Sequence, residues 1–178
     1  NCSNEIRLKP YLDKIVLTNN TDLQKCRIIY DSEIRKVELT LYEVPKIESL
    51  KLIICNNIDY GYKYADRSKI NELYSQKESA DDIIIIKNGL ITDSSYANLL
   101  FYDGNNWLTP SKPLLKGTQR ANLLRSKNII LADIVPSDLV NFKKIRLINA
   151  MIRFEDEVEL SVMDILNINN DLFMHEDI

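Results

Sequence analysis

The chain has 178 residues, 45% of them hydrophobic and 28% charged, with 23 Lys and Arg against 26 Asp and Glu for a net charge of −3. A chain of this size buries about 70% of its extended surface, so one domain or two small ones with a real core is expected, and disorder or a low-complexity fibre is excluded. There is no dense basic field for nucleic acid, and the longest apolar run, Ile83-Ile84-Ile85-Ile86, is far short of the roughly 20 residues a membrane-spanning helix needs.

The chain opens on Asn1 rather than methionine and carries no signal-peptide pattern, so it reads as a fragment of a longer protein. Residues 26–30 and 34–42 read as strands; in the second, Ile34, Val37, Leu39 and Leu41 are spaced mostly by two, and Asp31-Ser32-Glu33 supplies a polar hairpin turn. Pro45 ends that strand and residues 50–55 resume extended structure. A helix is predicted over 66–77, with Ile70, Leu73 and Tyr74 at helical spacing.

Beyond Asp82 the texture changes. Residues 82–87, 90–93 and 97–102 read as three short strands punctuated by Asn88-Gly89 and Asp103-Gly104, pairs that adopt positive φ at little cost. A strand over 107–109 ends at Pro110, residues 118–126 form a helix, and 128–134 form another strand. Ser137 caps a short helix over 138–142, and 144–154 is extended. Strands and helices mix without a regular βαβ period, which predicts an α+β fold. The predicted organisation is 1–55, 56–165 and a loosely held tail over 166–178.

Cys2, Cys26 and Cys55 form neither an even disulfide set nor a Cys-x-x-Cys pair, which predicts core-filling thiols and a reducing, cytoplasmic setting. No ligand set has zinc spacing, so no metal is expected, and His175, the only histidine, lies in the acidic tail away from any chemistry.

Three segments could carry chemistry. Lys63 sits between Tyr62 and Tyr64, and either reaches solvent or is held in a partly apolar setting that would favour the neutral amine; spacing alone favours the surface. Residues 92–98 (Thr-Asp-Ser-Ser-Tyr-Ala-Asn) are either a hairpin tip or a strand end presenting a carboxylate and an amide to a cleft. In Leu115-Lys116-Gly117-Thr118-Gln119-Arg120, glycine at a loop-to-helix junction leaves room for an anion facing the free N–H groups of the first turn, and a plain helix start explains it equally well.

In this order, with Trp107-Leu108-Thr109-Pro110 between them and Asn149-Ala150-Met151 after them, these segments resemble the class IV (fold-type IV) pyridoxal-phosphate enzymes, which include branched-chain and D-amino-acid aminotransferases and 4-amino-4-deoxychorismate lyase. The resemblance, running from about residue 50 to 151, implies two small α/β subdomains with the site between them, the first one incomplete because the family's opening strand and helix, with its phosphate-binding arginine, fall before Asn1. It also implies pyridoxal 5'-phosphate as cofactor and a homodimer.

Carried over residue by residue, the resemblance makes Lys63 the cofactor-holding and proton-moving lysine. Asp93 stands where the family usually has glutamate, facing the pyridine nitrogen, with Thr118, Gln119, Asn149 and Ala150 around the phosphate. Asn98 is expected to pin strand geometry. The tyrosine that the aminotransferases carry shortly after the lysine is absent, and Arg67 resembles the arginine of the lyase branch. The implied reaction is therefore the lyase, giving p-aminobenzoate and pyruvate on the folate route, with Arg27, Arg35 and Arg67 as candidates for substrate carboxylates. The alternatives are an amino-acid transaminase and a truncated, non-catalytic homologue.

Overall fold

A computed structural model describes residues 8–12 and 23–167. The chain divides into two compact units, Asn1–Val44 and Pro45–Ile178.

In the first unit a single helical turn, α1 (Lys9–Leu12), precedes an antiparallel hairpin of β1 (Gln24–Tyr30) and β2 (Ile34–Leu41). The turn is fixed by Asp31, whose Oδ1 accepts from the Glu33 N–H at 3.0 Å while Arg35 Nε donates to both carboxylate oxygens at 3.0 and 2.9 Å. These bonds, the one from Arg35 first, hold the Asp31 pKa at about 2.

The second unit is built on a mixed sheet. Its strands are β3 (Leu50–Ile54), β4 (Asp82–Lys87), β5 (Leu90–Ser94), β6 (Asn98–Tyr102), β7 (Trp107–Pro110), β8 (Ile130–Ala132), β9 (Lys144–Ile148), β10 (Glu159–Ser161) and β11 (Ile165–Leu166). The order is β10-β9-β6-β5-β4-β3-β11, with β7 branching from β6 and carrying β8 beside it. The pairs β11–β3, β3–β4 and β7–β8 are parallel and the rest antiparallel, so the fold is α+β as expected. Residues 50–54 fall within the expected first part, 1–55, but they are hydrogen-bonded to β4 and therefore belong to this sheet.

The β4–β5 connection is the expected two-residue turn: Asn88 (φ 51) and Gly89 (φ 74) both take the left-handed conformation, which matches the strand twist. Ile83 to Ile86 on β4 are at most 2% exposed, a run that is apolar throughout because the strand is covered on both faces. Helix α2 (Ser68–Tyr74) covers one of them, burying Ile70 and Leu73 against Ile53, Cys55, Ile58, Ile83 and Ile85. Helix α3 (Thr118–Arg125) sets Leu123 against Leu100, Ile129 and Ile148. Each fully buried aliphatic side chain of this kind contributes about 1.5–3 kcal/mol relative to exposure.

Several expectations are corrected at their edges. The helix predicted over 66–77 is α2 followed by a 3₁₀ turn, Ser75–Lys77, and Tyr74 on its expected apolar face is exposed. The short helix near 138 is a 3₁₀ turn, Pro136–Asn141, capped not by Ser137 but by Asp138, whose Oδ2 accepts from the Val135 N–H at 3.0 Å. Extension after Lys144 stops at Ile148, because Asn149 Oδ1 accepts from the N–H groups of Met151 (2.7 Å) and Ile152 (2.9 Å) and turns the chain. Strands β10 and β11 have no counterpart among the expected elements. Cys55 is buried as a filler, its thiol donating to Asn57 Oδ1 at 3.1 Å, whereas Cys26 is exposed on β1. Cys2, His175 and all but the start of the tail lie outside the described residues. Among the described residues no helix is long and apolar enough to cross a membrane, and no cluster of side chains could hold a metal ion.

Candidate functional site

Asp93 and Asn98 face each other across the β5–β6 pair, on either side of a tight turn. The turn caps itself: Ser94 Oγ accepts from the Ala97 N–H at 3.0 Å and the Tyr96 N–H at 3.3 Å, and the Ser94 N–H donates to the Ala97 carbonyl at 2.9 Å. Asp93 is only 5% exposed. Its Oδ1 accepts from Asn98 Nδ2 at 2.6 Å and its Oδ2 from the Leu115 N–H at 2.9 Å, while the same Asn98 nitrogen donates to the Leu115 carbonyl at 2.8 Å. One amide side chain thus ties the carboxylate to the loop that leads into α3.

That loop explains Gly117 in a way its neighbours in sequence do not reveal. Gly117 has ordinary extended torsions (φ −64, ψ 149), so no left-handed conformation demands glycine. A Cβ placed there would overlap Asn98 Oδ1, an atom whose side chain is held by two hydrogen bonds. The glycine is needed for close approach. Gly117→Ala is therefore expected to cost more than about 1 kcal/mol in urea-unfolding stability although its backbone geometry suits alanine; an unchanged midpoint and slope would show that Asn98 moves aside freely.

Helix α3 then opens with no side-chain cap, so the N–H groups of its first turn, at Thr118 and Gln119, face outward without intrahelical acceptors. Arg120 is buried, donating from Nε to Thr109 Oγ1 at 3.2 Å and from a terminal nitrogen to the Pro110 carbonyl at 2.7 Å. Thr109 in turn donates to the Leu99 carbonyl at 3.0 Å. The Thr-Pro pair and the helix are locked together through one guanidinium, a role that the place of Arg120 in the sequence does not suggest.

Burial dominates the electrostatics here. It pushes the Asp93 pKa up to about 6, against the hydrogen bonds from Leu115 and Asn98 and the charge of Arg120. Burial also raises Asp82, fully buried at the start of β4, with the hydroxyls of Ser95 and Ser94 opposing it. For an acid raised on folding, the native state binds more protons than the unfolded chain, so stability falls as pH rises from about 4 through 6. A shift of about 2 units corresponds to about 3 kcal/mol at full ionisation. The stability difference between the protein and Asp93→Asn should therefore move by about 2 kcal/mol in favour of the variant between pH 4.5 and pH 7.5. Parallel denaturation curves at the two pH values check it, and a pH-independent difference would contradict the burial of an ionising Asp93.

Lys63 stands at the apex of a three-residue turn closed by the Tyr64 N–H donating to the Tyr62 carbonyl at 2.9 Å. Tyr60 spans it, its hydroxyl donating to the Tyr64 carbonyl at 3.0 Å, and the Tyr60 and Tyr62 rings each meet the Tyr64 ring edge-on at 5.9 Å. Of the two settings left open for Lys63, the structure shows the exposed one. The segment is nonetheless tied to the Asp93 region. Tyr60 and Leu114 pack against the same apolar cluster, and a terminal nitrogen of Arg67 donates to the Ser95 carbonyl at 2.7 Å. A pocket of about 330 Å³ opens beside it between Tyr60, Tyr64, Arg67 and Lys69.

Asn149 spends its side chain on its own turn and makes a long 3.5 Å contact from Nδ2 to the Tyr96 carbonyl, which brings this turn, with exposed Ala150, to the same β5–β6 tip. The tip at residues 94–97 is thus the meeting point of segments carrying Lys63, Asp93 and Asn149. Arg27 and Arg35 lie on the hairpin of the first unit. Arg27 pairs with Glu38 at 3.7 Å and Arg35 with Asp31 at 2.9 Å, so each guanidinium already serves its own hairpin.

A family model described as amino-transferase class IV matches residues 63–154. An uncharacterized protein of Haemophilus influenzae is 44% identical over 129 residues, which are 72% of this chain and 69% of that one. Among solved structures, that of a proposed 4-amino-4-deoxychorismate lyase from Haemophilus somnus 129PT is 40% identical, over 84% of this chain and 78% of that one, with a TM-score of 0.79. The PLP-bound form of a hypothetical aminotransferase from Mycobacterium tuberculosis is 15% identical, over 82% of this chain and 61% of that one, with a TM-score of 0.62, and shares the fold.

Proposed function

The chain belongs to the class IV aminotransferase family, and from that premise we propose that it is a pyridoxal-phosphate-dependent 4-amino-4-deoxychorismate lyase, releasing p-aminobenzoate and pyruvate. The observation that carries the cofactor is the buried Asp93, fixed on both oxygens by Asn98 and Leu115 and raised to about 6 despite the charge of Arg120. A carboxylate so placed suits a protonated ring nitrogen, whose charge would relieve the burial penalty. The remaining donors fit the other end of the same molecule: uncapped first-turn N–H groups at Thr118 and Gln119, and the exposed turn at Ala150, suit a phosphate. The Mycobacterium tuberculosis relative, with the same fold, holds PLP. The choice of the lyase within the family is supported by the 40% identical Haemophilus somnus structure.

In this reading Lys63, Asp93, Thr118, Gln119, Asn149 and Ala150 hold the cofactor, which supplies a conjugated ring that draws electron density from the carbon bearing the substrate nitrogen. Lys63 Nζ takes the proton from that carbon. Departure of the enolpyruvyl oxygen then leaves an aromatic ring, a strongly favourable outcome, so the protein has chiefly to position the substrate and move one proton. Asn98 and Leu115 keep Asp93 from turning away while it keeps the ring nitrogen protonated.

The test is incubation with 4-amino-4-deoxychorismate and pyridoxal phosphate, reading p-aminobenzoate by its fluorescence and pyruvate with lactate dehydrogenase. Equimolar release of both is expected. No release, beside keto-acid formation from amino acids, would replace the lyase by a transaminase. The homodimer implied by the family resemblance belongs to the same proposal and predicts a light-scattering mass twice the 20.7 kDa of the chain.

A further inference from the structure

Lys63 lies on an exposed segment: residues 61–66 are all exposed, and the Tyr62 and Tyr64 rings meet each other edge-on. A side chain that must deliver a proton to one atom needs its backbone fixed, since misplacement by about 1 Å can cost about 100-fold in rate. The segment is fastened at its two ends. At the first, Tyr60 packs on the apolar cluster that also takes Leu114. At the second, Arg67, four residues past Lys63 and at the N-cap of α2, reaches across 28 residues of sequence to the Ser95 carbonyl at 2.7 Å.

Ser95 is two residues from Asp93, inside a turn that is itself rigidly capped by Ser94. The acceptor is a backbone carbonyl, so the contact reads position and not side-chain identity. The Arg67 Nε is buried with no hydrogen-bond partner among the described residues, so the guanidinium remains inside at some cost while a terminal nitrogen makes this bond. Arg67 is half-buried and lines the pocket between Tyr60, Tyr64 and Lys69, with one terminal nitrogen committed to the Ser95 carbonyl.

We propose that Arg67 is a positioning residue: by donating to the Ser95 carbonyl it latches the Lys63 segment to the β5–β6 tip and so sets the distance between the Lys63 amine and the Asp93 carboxylate. This departs from the substrate-carboxylate role implied by the family resemblance, and it rests on the reading of Lys63 as the cofactor-holding lysine. Methionine at this position keeps most of the apolar stem and removes every donor, whereas lysine keeps a cationic donor on a flexible stem without the planar fork.

The experiment compares the wild-type protein, Arg67→Met and Arg67→Lys. For each, the rate of borohydride-stable attachment of pyridoxal phosphate to Lys63 is followed by peptide mass, together with hydrogen exchange of residues 60–66 and kcat and KM for p-aminobenzoate release. A latch predicts that Arg67→Met slows attachment and lowers kcat by about 10-fold to 100-fold, speeds exchange in 60–66, and changes KM less than about 2-fold, with Arg67→Lys between it and the wild type. A rise in KM of about 10-fold with attachment and exchange unchanged would make Arg67 a substrate anchor and overturn the proposal. If Arg67→Met does not fold, Arg67→Lys alone decides, because a latch requires faster exchange in 60–66 and an anchor does not. Wild-type protein that fails to attach the cofactor at Lys63 would overturn the functional reading itself, while wild-type attachment matched by an unaffected Arg67→Met would overturn the latch alone.

Discussion

Lys63→Ala should lose p-aminobenzoate release by about 1,000-fold or more while unfolding at the same urea concentration as the wild type. The two halves of this result have separate causes. The side chain is exposed on a turn whose closing hydrogen bond is between backbone atoms of Tyr62 and Tyr64, so truncation opens no cavity and leaves that bond in place. The amine, in contrast, is proposed both to join the cofactor and to move the proton, and no other lysine lies on this turn. Lys63→Arg should not restore activity, because a guanidinium cannot be deprotonated and cannot serve as the nucleophile. Activity within about 10-fold of wild type in Lys63→Ala would remove the lysine from the chemistry.

Asp93→Asn should separate stability from function. At pH 8 the wild-type carboxylate is ionised at a site where burial opposes the charge, so its neutral isostere removes that penalty. The gain is less than the full ionisation cost, because one end of the new amide presents N–H groups to a donor, either Asn98 Nδ2 or the Leu115 N–H. The variant should be at least as stable as the wild type at pH 8 and less favoured at pH 4.5. Turnover should nevertheless fall by about 100-fold to 1,000-fold, since a neutral amide cannot keep a ring nitrogen protonated. Loss of stability together with loss of activity at pH 8 would show Asp93 to be structural. Asp93→Glu is the informative companion: the family's usual residue adds one methylene to a site already closed by Asn98 and Leu115, and should cost stability by overpacking while retaining part of the activity.

Much of this arrangement is legible in the order of the amino acids, because its signals are local. Asn88-Gly89 forces a two-residue hairpin because both residues must take positive φ, and they do. The isoleucine run over 83–86 can only be a covered strand. The helix at 118 begins where a glycine and a threonine follow a loop, and ends within a residue of the expected position. What stays hidden depends on chain segments that meet only after folding. Nothing in Arg67 announces Ser95, 28 residues on, and nothing in Gly117 announces that the Asn98 amide will lie against its Cα. Arg120 reads as one more helix cation until Thr109 and Pro110 accept its hydrogen bonds. Strands β10 and β11 are too short to have a period, and exist because β9 and β3 offer them hydrogen-bonding edges. Arg146 belongs to the same group: it is packed between the Trp107 and Phe154 rings, 4.6 and 4.4 Å from their centroids, and bonds Glu159, fixing β10 through side chains whose spacing in sequence carries no message.

The placement of the carboxylate also bears on how the lysine can act from an exposed turn. Asn98 and the Leu115 N–H hold the two oxygens of Asp93, whereas residues 61–66 are all exposed. The buried partner is the acid and the exposed one is the amine, an order suited to the proposed role of Lys63 in holding a cofactor, releasing it to a substrate and collecting a proton.

The most direct measurement is borohydride reduction of the protein incubated with pyridoxal phosphate, followed by peptide mapping. The modification is expected on the peptide containing Lys63, on no other lysine at stoichiometric cofactor, and much reduced in Asp93→Asn. A label spread over surface lysines, or its absence from residue 63, would contradict the assignment of this site.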